Sequence, residues 1–169
     1  MRKTLCVALA ATLCLLLLPA CTGGGQEKQV DLSAFAQRLQ EKYEFASYLM
    51  ELDPENEYDK ELFDNTMPGL LEMDLEQRIY LGCLITMNNG EIGLAQAKSP
   101  EDAARVKEIF KNRVDYMVGD GESPGGAWYP GPTQLWADNS RVEVHGSYVL
   151  MVTAEECDKI VEEFNALFQ

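Results

Sequence analysis

Gly121-Glu122-Ser123-Pro124-Gly125 reproduces the spacing G-x-S-x-G, in which a sharp turn presents a nucleophilic serine, and Asp138 and His145 follow in triad order. The chemistry does not hold together. Such a turn joins a strand to a helix, whereas here a helical pattern precedes it. The residue after the serine must give its N–H to an oxyanion, and Pro124 has none. A plain turn is therefore expected. His145 is the only histidine, which excludes multi-His zinc sites and HExxH, and beside Gly146 it reads as a turn residue. Acids are abundant, but no spacing singles out a carboxylate pair for acid–base work. The dense run Glu51 to Asp59 fails as a calcium loop, because the sixth position counted from Asp53 is Tyr58 rather than Gly. It reads as a solvated loop in which Pro54 starts a turn or short helix. Neither a P-loop nor a dinucleotide fingerprint occurs, so no catalytic residue, metal or cofactor is expected. What remains is aromatic. Trp128, Tyr129 and Trp136 lie in or beside a Gly/Pro-rich stretch from Gly119 to Thr133, as a candidate binding loop. Exposed, they offer stacking surfaces for glycan or peptide; folded inward, they cap a sheet.

The N-terminus sets the compartment in which that chemistry would operate. Arg2-Lys3 precede the uncharged run Leu5 to Leu18, the layout of a secretory signal and too short for a stable transmembrane helix. Ordinary signal peptidase prefers small residues three and one before its cut, which Leu18 does not satisfy. Leu18-Pro19-Ala20-Cys21 instead resembles the lipobox of bacterial lipoproteins, whose cysteine is acylated before cleavage, although Pro19 departs from the usual small or β-branched residue. The expectation is a signal peptide over 1–20 and a lipid on Cys21, where more than one acyl chain makes attachment stable.

Thr22 to Gln29 is a glycine-rich flexible linker with a span of roughly 15 Å, so 21–30 is read as lipidated cysteine and tether, and 31–169 as one domain. The formal charge is −14, from 14 Lys+Arg against 28 Asp+Glu, and the leader holds cations but no acids. Such acidity excludes a nucleic-acid partner and disfavours lying flat on anionic lipid. Beyond the leader and Cys21, Cys83 and Cys157 remain. An oxidising compartment permits a disulfide between them, while their apolar neighbours suit two small buried hydrophobes.

The elements that must position these residues read as follows. Asp31 caps a helix with Leu32, Phe35, Leu39 and Tyr43 on one stripe, ending near Phe45 or Leu49. Residues 60–75 are apolar without a clean period and read as loop with short helix. Ile79 to Met87 is apolar on both faces, Asn89-Gly90 is a hairpin-turn signal, and Glu91 to Lys98 returns as partner strand. Two-residue turn geometry pairs Ile85 with Leu94 and Met87 with Ile92. The opposite face carries Gly93, Ala95 and Ala97, small enough for close packing. Ser99-Pro100-Glu101-Asp102 starts a helix that buries Ala103, Val106, Phe110, Val114 and Met117 and stops at Gly119. Lys107, Lys111 and Arg113 place positive charge in its latter half. A second hairpin joins Arg141–Val144 to Tyr148–Val152 through His145-Gly146. Thr153-Ala154-Glu155-Glu156 reads as a capping box for a helix burying Cys157, Ile160, Val161, Phe164 and Leu167. The order helix, hairpin, helix, hairpin, helix predicts an α+β fold with a four-stranded antiparallel sheet covered by helices.

The lipobox leader, Glu91-Ile92 opening a strand, the helix Ser99 to Met117 with Arg113, Tyr129-Pro130, Gly146-Ser147-Tyr148-Val149 and the closing acidic helix form a series. It resembles the bacterial lipoproteins grouped as domain of unknown function 4358, common in Gram-positive gut bacteria. The likeness runs over roughly residues 31 to 168 and departs at the Gly-rich insertion 119–126. It implies a location and a fold, and carries no activity or catalytic residue. The expectation is a lipid-anchored protein on the extracytoplasmic face of the cell membrane. Its role would be binding or envelope interaction, with a protein, peptide or glycan partner. The alternative is a hydrolase acting on envelope material.

Overall fold

The structure is a computed structural model that describes residues 28–83, 90–122 and 125–169. The leader, Cys21, the linker to Glu27, the Ile85 and Met87 pairings, Asn89 and Ser123-Pro124 lie outside the described residues. In chain order the elements are α1 Leu32–Lys42, α2 Glu44–Ser47, β1 Met50–Glu51, α3 Glu57–Thr66, β2 Leu75–Gly82 and β3 Glu91–Ala97. They continue with α4 Pro100–Val118, α5 Pro130–Asn139, β4 Ser140–His145, β5 Tyr148–Thr153 and α6 Cys157–Ala166.

The fold is α+β. Among the described residues its antiparallel sheet has five strands rather than four, in the order β1-β2-β3-β5-β4. The added strand, β1, pairs only Met50 with Gly82 and Glu51 with Leu81, too short a run for any alternation to show in the sequence. Helices cover both faces. Ile79, Leu81, Ile92, Leu94, Leu150 and Val152 pack against Leu32, Phe35 and Leu39 of α1 and Ile160 and Phe164 of α6. On the other face Tyr80, Ala95, Ala97, Val149 and Met151 meet Phe63 of α3 and Ala103, Val106 and Phe110 of α4. Every residue of β3 and β5 is therefore buried, and neither strand needs a polar face.

Short-range signals set the helix starts. The Asp31 side chain accepts from the Ala34 N–H, and Ser99 Oγ accepts from the Asp102 N–H with Pro100 opening α4. The first helix ends earlier than its stripe suggests: Tyr43 turns extended at φ −110°, ψ 125°, and α2 restarts after it. The acid-rich run after Glu51 does form a turn, and Asn56 then caps α3 by accepting from Tyr58 and Asp59. At the other end of the chain there is no capping box. Thr153 closes β5 with its hydroxyl on Ser140 Oγ at 2.7 Å, so the helix begins only at Cys157.

The first hairpin does not have the register that a turn at Asn89-Gly90 would set. Leu94 pairs with Ile79 and Ile92 with Leu81, an even displacement that keeps the expected faces. In the second hairpin His145 pairs with Tyr148, so the two-residue loop is Gly146-Ser147, with Gly146 at φ 57° where such a loop needs positive φ. The small face of β3 does what its composition predicts: a Cβ on Gly93 would lie 2.9 Å from Phe110 Cζ, so α4 rests directly on the strand.

The molecule has two poles. Gln29 Nε2 meets Gln96 Oε1 at 3.2 Å, the Val30 N–H donates to the Tyr148 hydroxyl at 3.0 Å, and Lys28 Nζ reaches the Gln169 carbonyl at 2.9 Å. The first described residues thus dock where β3 ends and α4 begins. The 19 residues of α4 run back along the sheet, a length of roughly 28 Å, and deliver its C-terminus to the opposite pole. Among the described residues no helix is long and apolar enough to cross a membrane.

Candidate functional site

At that far pole the chain turns back on the end of α4. Gly119 ends the helix at φ 81°, and the returning segment hydrogen-bonds to the last turn, Gly126 N–H to the Tyr116 carbonyl at 2.8 Å and Ala127 N–H to that of Met117 at 3.2 Å. Only glycine fits this approach: a Cβ on Gly125 would fall 2.4 Å from the Gly119 nitrogen. Next comes Trp128. Its N–H donates to the Gly125 carbonyl at 3.1 Å, and the Tyr129 N–H donates to the Ala127 carbonyl at 2.7 Å. With Trp128 at φ 60°, the latter bond closes a three-residue γ-turn of the rare, strained hand. Such a conformation costs about 1–3 kcal/mol and is characteristic of places where geometry serves a function.

The turn holds the Trp128 side chain out in solvent, 71 % exposed, with Tyr129 at 65 %. Neither folds inward to cap the sheet. Trp136 belongs elsewhere: the stretch after Tyr129 is the helix α5, and Trp136 on it is fully buried, so it is no part of a binding surface. Trp128 and Tyr116 line an open cleft of about 430 Å³, together with Asp115, Asp120 and the glycine backbone of the turn. Tyr116 is also largely exposed. Among the described residues the charged groups on this lining are acids. The last turn of α4 carries no basic residue either, although the helix dipole would favour one by about 0.3–1 kcal/mol. The positive charge expected in the latter half of the helix is spent lower down: Arg113, whose guanidinium lies 5.8 Å from the Tyr116 ring centre, is held by Glu91.

That pair is a buried cluster the sequence reading missed. Arg113 grips Glu91 with two hydrogen bonds, Nε to Oε2 at 2.9 Å and Nη2 to Oε1, and both side chains are largely buried. The guanidinium lies 5.5 Å from the Trp136 ring centre as well, joining α5 to α4. Burial would lower the Arg113 pKa, but hydrogen bonding and the charge of Glu91 outweigh it and hold the pKa above the ordinary arginine value. With Tyr80, Tyr58, Thr66 and Cys83 the pair lines a pocket of about 220 Å³. A sequence signal existed: Arg113 follows Phe110 by one helical turn and so lies on the apolar stripe, where an unpaired charge would be intolerable.

Tyr80 sits against this pair. Burial first, then the charge of Glu91, push its phenol well above the ordinary tyrosine range. A raised tyrosine pKa stabilises the fold fully below the unfolded value of about 10, and that stability is lost as pH rises above it toward the folded pKa. The denaturation midpoint should therefore fall steeply above about pH 10, and the Tyr80→Phe protein should show a flatter alkaline limb. Equal slopes in the two proteins would mean that Tyr80 ionises freely in the fold.

The remaining candidates do not assemble. His145 closes β4 beside the Gly146-Ser147 loop, its ring stacked 4.0 Å from that of Phe168. This lies at the pole where residues 28–30 dock, whereas Gly121 and Gly125 follow the C-terminus of α4. Asp138 is exposed on α5, with Oδ2 accepting from Gln134 at 3.2 Å. No disulfide joins Cys83 to Cys157; both pack in the core on the α1 and α6 side, and burial raises the Cys157 thiol pKa. Among the described residues no group of His, Cys, Asp and Glu is placed to hold a metal ion. No family model, curated protein or solved structure matches the chain.

Proposed function

We propose that this chain is a lipid-anchored extracytoplasmic binding module, tethered through Cys21 and contacting its ligand with the Trp128 cleft. The anchor rests on Leu18-Pro19-Ala20-Cys21 behind a short uncharged run, and agrees with the resemblance to the lipoproteins of domain of unknown function 4358. The observation that carries the binding reading is the exposed indole of Trp128, held out by a strained turn at the edge of an open cleft. Burying so large an apolar face against a partner returns more than its area alone, because aromatic contacts add about 0.5–1.5 kcal/mol per stacked pair. The two poles add a direction. A tether leaving beside Gln96 turns the cleft away from the anchored end, toward material beyond the membrane surface.

Two experiments test the two halves. In a bacterium fed labelled palmitate, the wild-type protein should take up label and Cys21→Ala should not; label on the variant removes the anchor. The wild-type protein should be retained by envelope extract or purified cell-wall glycan, and Trp128→Ala should lose at least about tenfold in affinity, the range of a buried aromatic contact residue. Because Trp128 is largely exposed, the variant should denature close to the wild-type midpoint, since Ala keeps the Cβ that positive φ disfavours and so leaves the strain of the turn unchanged. Retention unchanged in the variant places the ligand elsewhere.

A further inference from the structure

We propose that the Trp128 cleft takes a cationic side chain, an alkylammonium group carried on a peptide partner. This rests on the reading of the cleft as the ligand site and adds the chemistry that site selects. The lining combines two exposed aromatic side chains, Trp128 and Tyr116, with two carboxylates, Asp115 and Asp120, the latter also accepting from the Glu122 N–H, and among the described residues it includes no base. An ammonium or guanidinium over an indole face is attracted by the ring quadrupole, most strongly for Trp. The same cation meets the carboxylates at the rim of an open site, and charge complementarity of that kind selects a charged ligand over a neutral one. A second feature points the same way. The last turn of α4 carries Asp115 and no basic residue, so the negative end of the helix dipole lacks the positive charge that ordinarily sits there. The nearest arginine does not supply it, because Arg113 is clamped to Glu91 below the Tyr116 ring. A bound cation completes what the helix end lacks.

The cleft's shape decides what carries the cation. It is open and of about 430 Å³, so an occupant keeps much of its surface in water. A free small molecule is ordinarily enclosed over most of its area. An open aromatic and acidic notch suits the end of one long side chain projecting from a peptide whose remaining length runs over the surface, with its apolar stem along Trp128 and its charge toward the carboxylates.

The test uses the full chain in non-ionic detergent micelles, labelled with nitrogen-15. The protein has two tryptophans, so two indole N–H signals report the exposed Trp128 and the buried Trp136, assigned with Trp128→Phe. The probes are a blocked Gly-Lys-Gly peptide, the same peptide with norleucine for lysine, and a neutral chitin oligosaccharide. The lysine peptide should move the Trp128 signal saturably and leave that of Trp136 in place. Norleucine for lysine, or the Asp115→Asn/Asp120→Asn protein, should weaken the response about tenfold at low salt. Equal response to lysine and norleucine peptides overturns the cation while leaving an apolar binding site. A response to the oligosaccharide without one to the lysine peptide overturns the cation and makes the ligand a glycan. Silence from all three probes overturns the proposal too, and retention of wild type but not Trp128→Ala by envelope material then upholds the site reading on its own.

Discussion

Arg113→Met should cost about 3–5 kcal/mol of stability, the loss found when one partner of a buried ion pair is removed. The substitution keeps the length of the side chain and most of its packing, but it leaves the Glu91 carboxylate enclosed at the start of β3 without its cation. A carboxylate in that position must either ionise in a poor solvent or take up a proton, and both destabilise the fold at neutral pH. The measurement is the denaturant midpoint at unchanged slope. Against a total stability of about 5–15 kcal/mol for a domain of this kind, the effect will be plain. The double variant Glu91→Leu/Arg113→Met should recover most of the loss, because a buried pair exchanged whole for apolar side chains is often neutral. A loss below about 1 kcal/mol in the single variant would show the pair to be solvated. Since Arg113 also lies against the rings of Tyr116 and Trp136, the single variant should loosen the pole that carries the cleft.

Phe110→Ala is the second large effect, again about 3–5 kcal/mol, from lost burial plus the cavity left behind. Phe110 is fully buried, and its ring fills the space that Gly93 leaves on β3. The contact makes a further demand. Gly93→Ala alone should destabilise by about 1–3 kcal/mol through overpacking, since the new methyl would meet the ring. In the Phe110→Ala background the same methyl enters a vacated space, and its cost should vanish or reverse. Additive losses in the double variant would mean that the helix does not rest on the strand at this point.

Much of this was legible from local chemistry. The caps at Asp31 and Ser99 depend on a side chain and an N–H three residues on, and the small face of Gly93, Ala95 and Ala97 is a statement about one strand. Register was less legible. Ile79, Tyr80 and Leu81 are apolar in succession because β2 lies between two helical layers, and the run continues apolar in sequence to Met87, so no alternation fixed which residues oppose Ile92 and Leu94. The helix α5 was hidden by Pro130, Gly131 and Pro132, which read as loop formers, although proline is at home in a first turn and Pro130 occupies it. That misreading put Trp136 in a loop, when the helix carries it into the core. Thr153 has the residue type of a helix cap, yet a cross-strand hydroxyl partner on Ser140 claims it. The Trp128 cleft itself was half visible. The aromatics and glycines were in sequence, but their exposure depends on a γ-turn and on the return of the chain to the end of α4, and neither has a sequence signature.

Acrylamide quenching of tryptophan emission tests the role of Trp128 most directly. The two tryptophans differ as far as they can, one largely exposed and one fully buried, so the free protein should show one readily quenched component and one shielded component. When the protein is captured on envelope material, the quenched component should become shielded while the buried one stays as it was. A captured protein whose exposed tryptophan remains as open to acrylamide as before would contradict the assignment of Trp128 to the binding site.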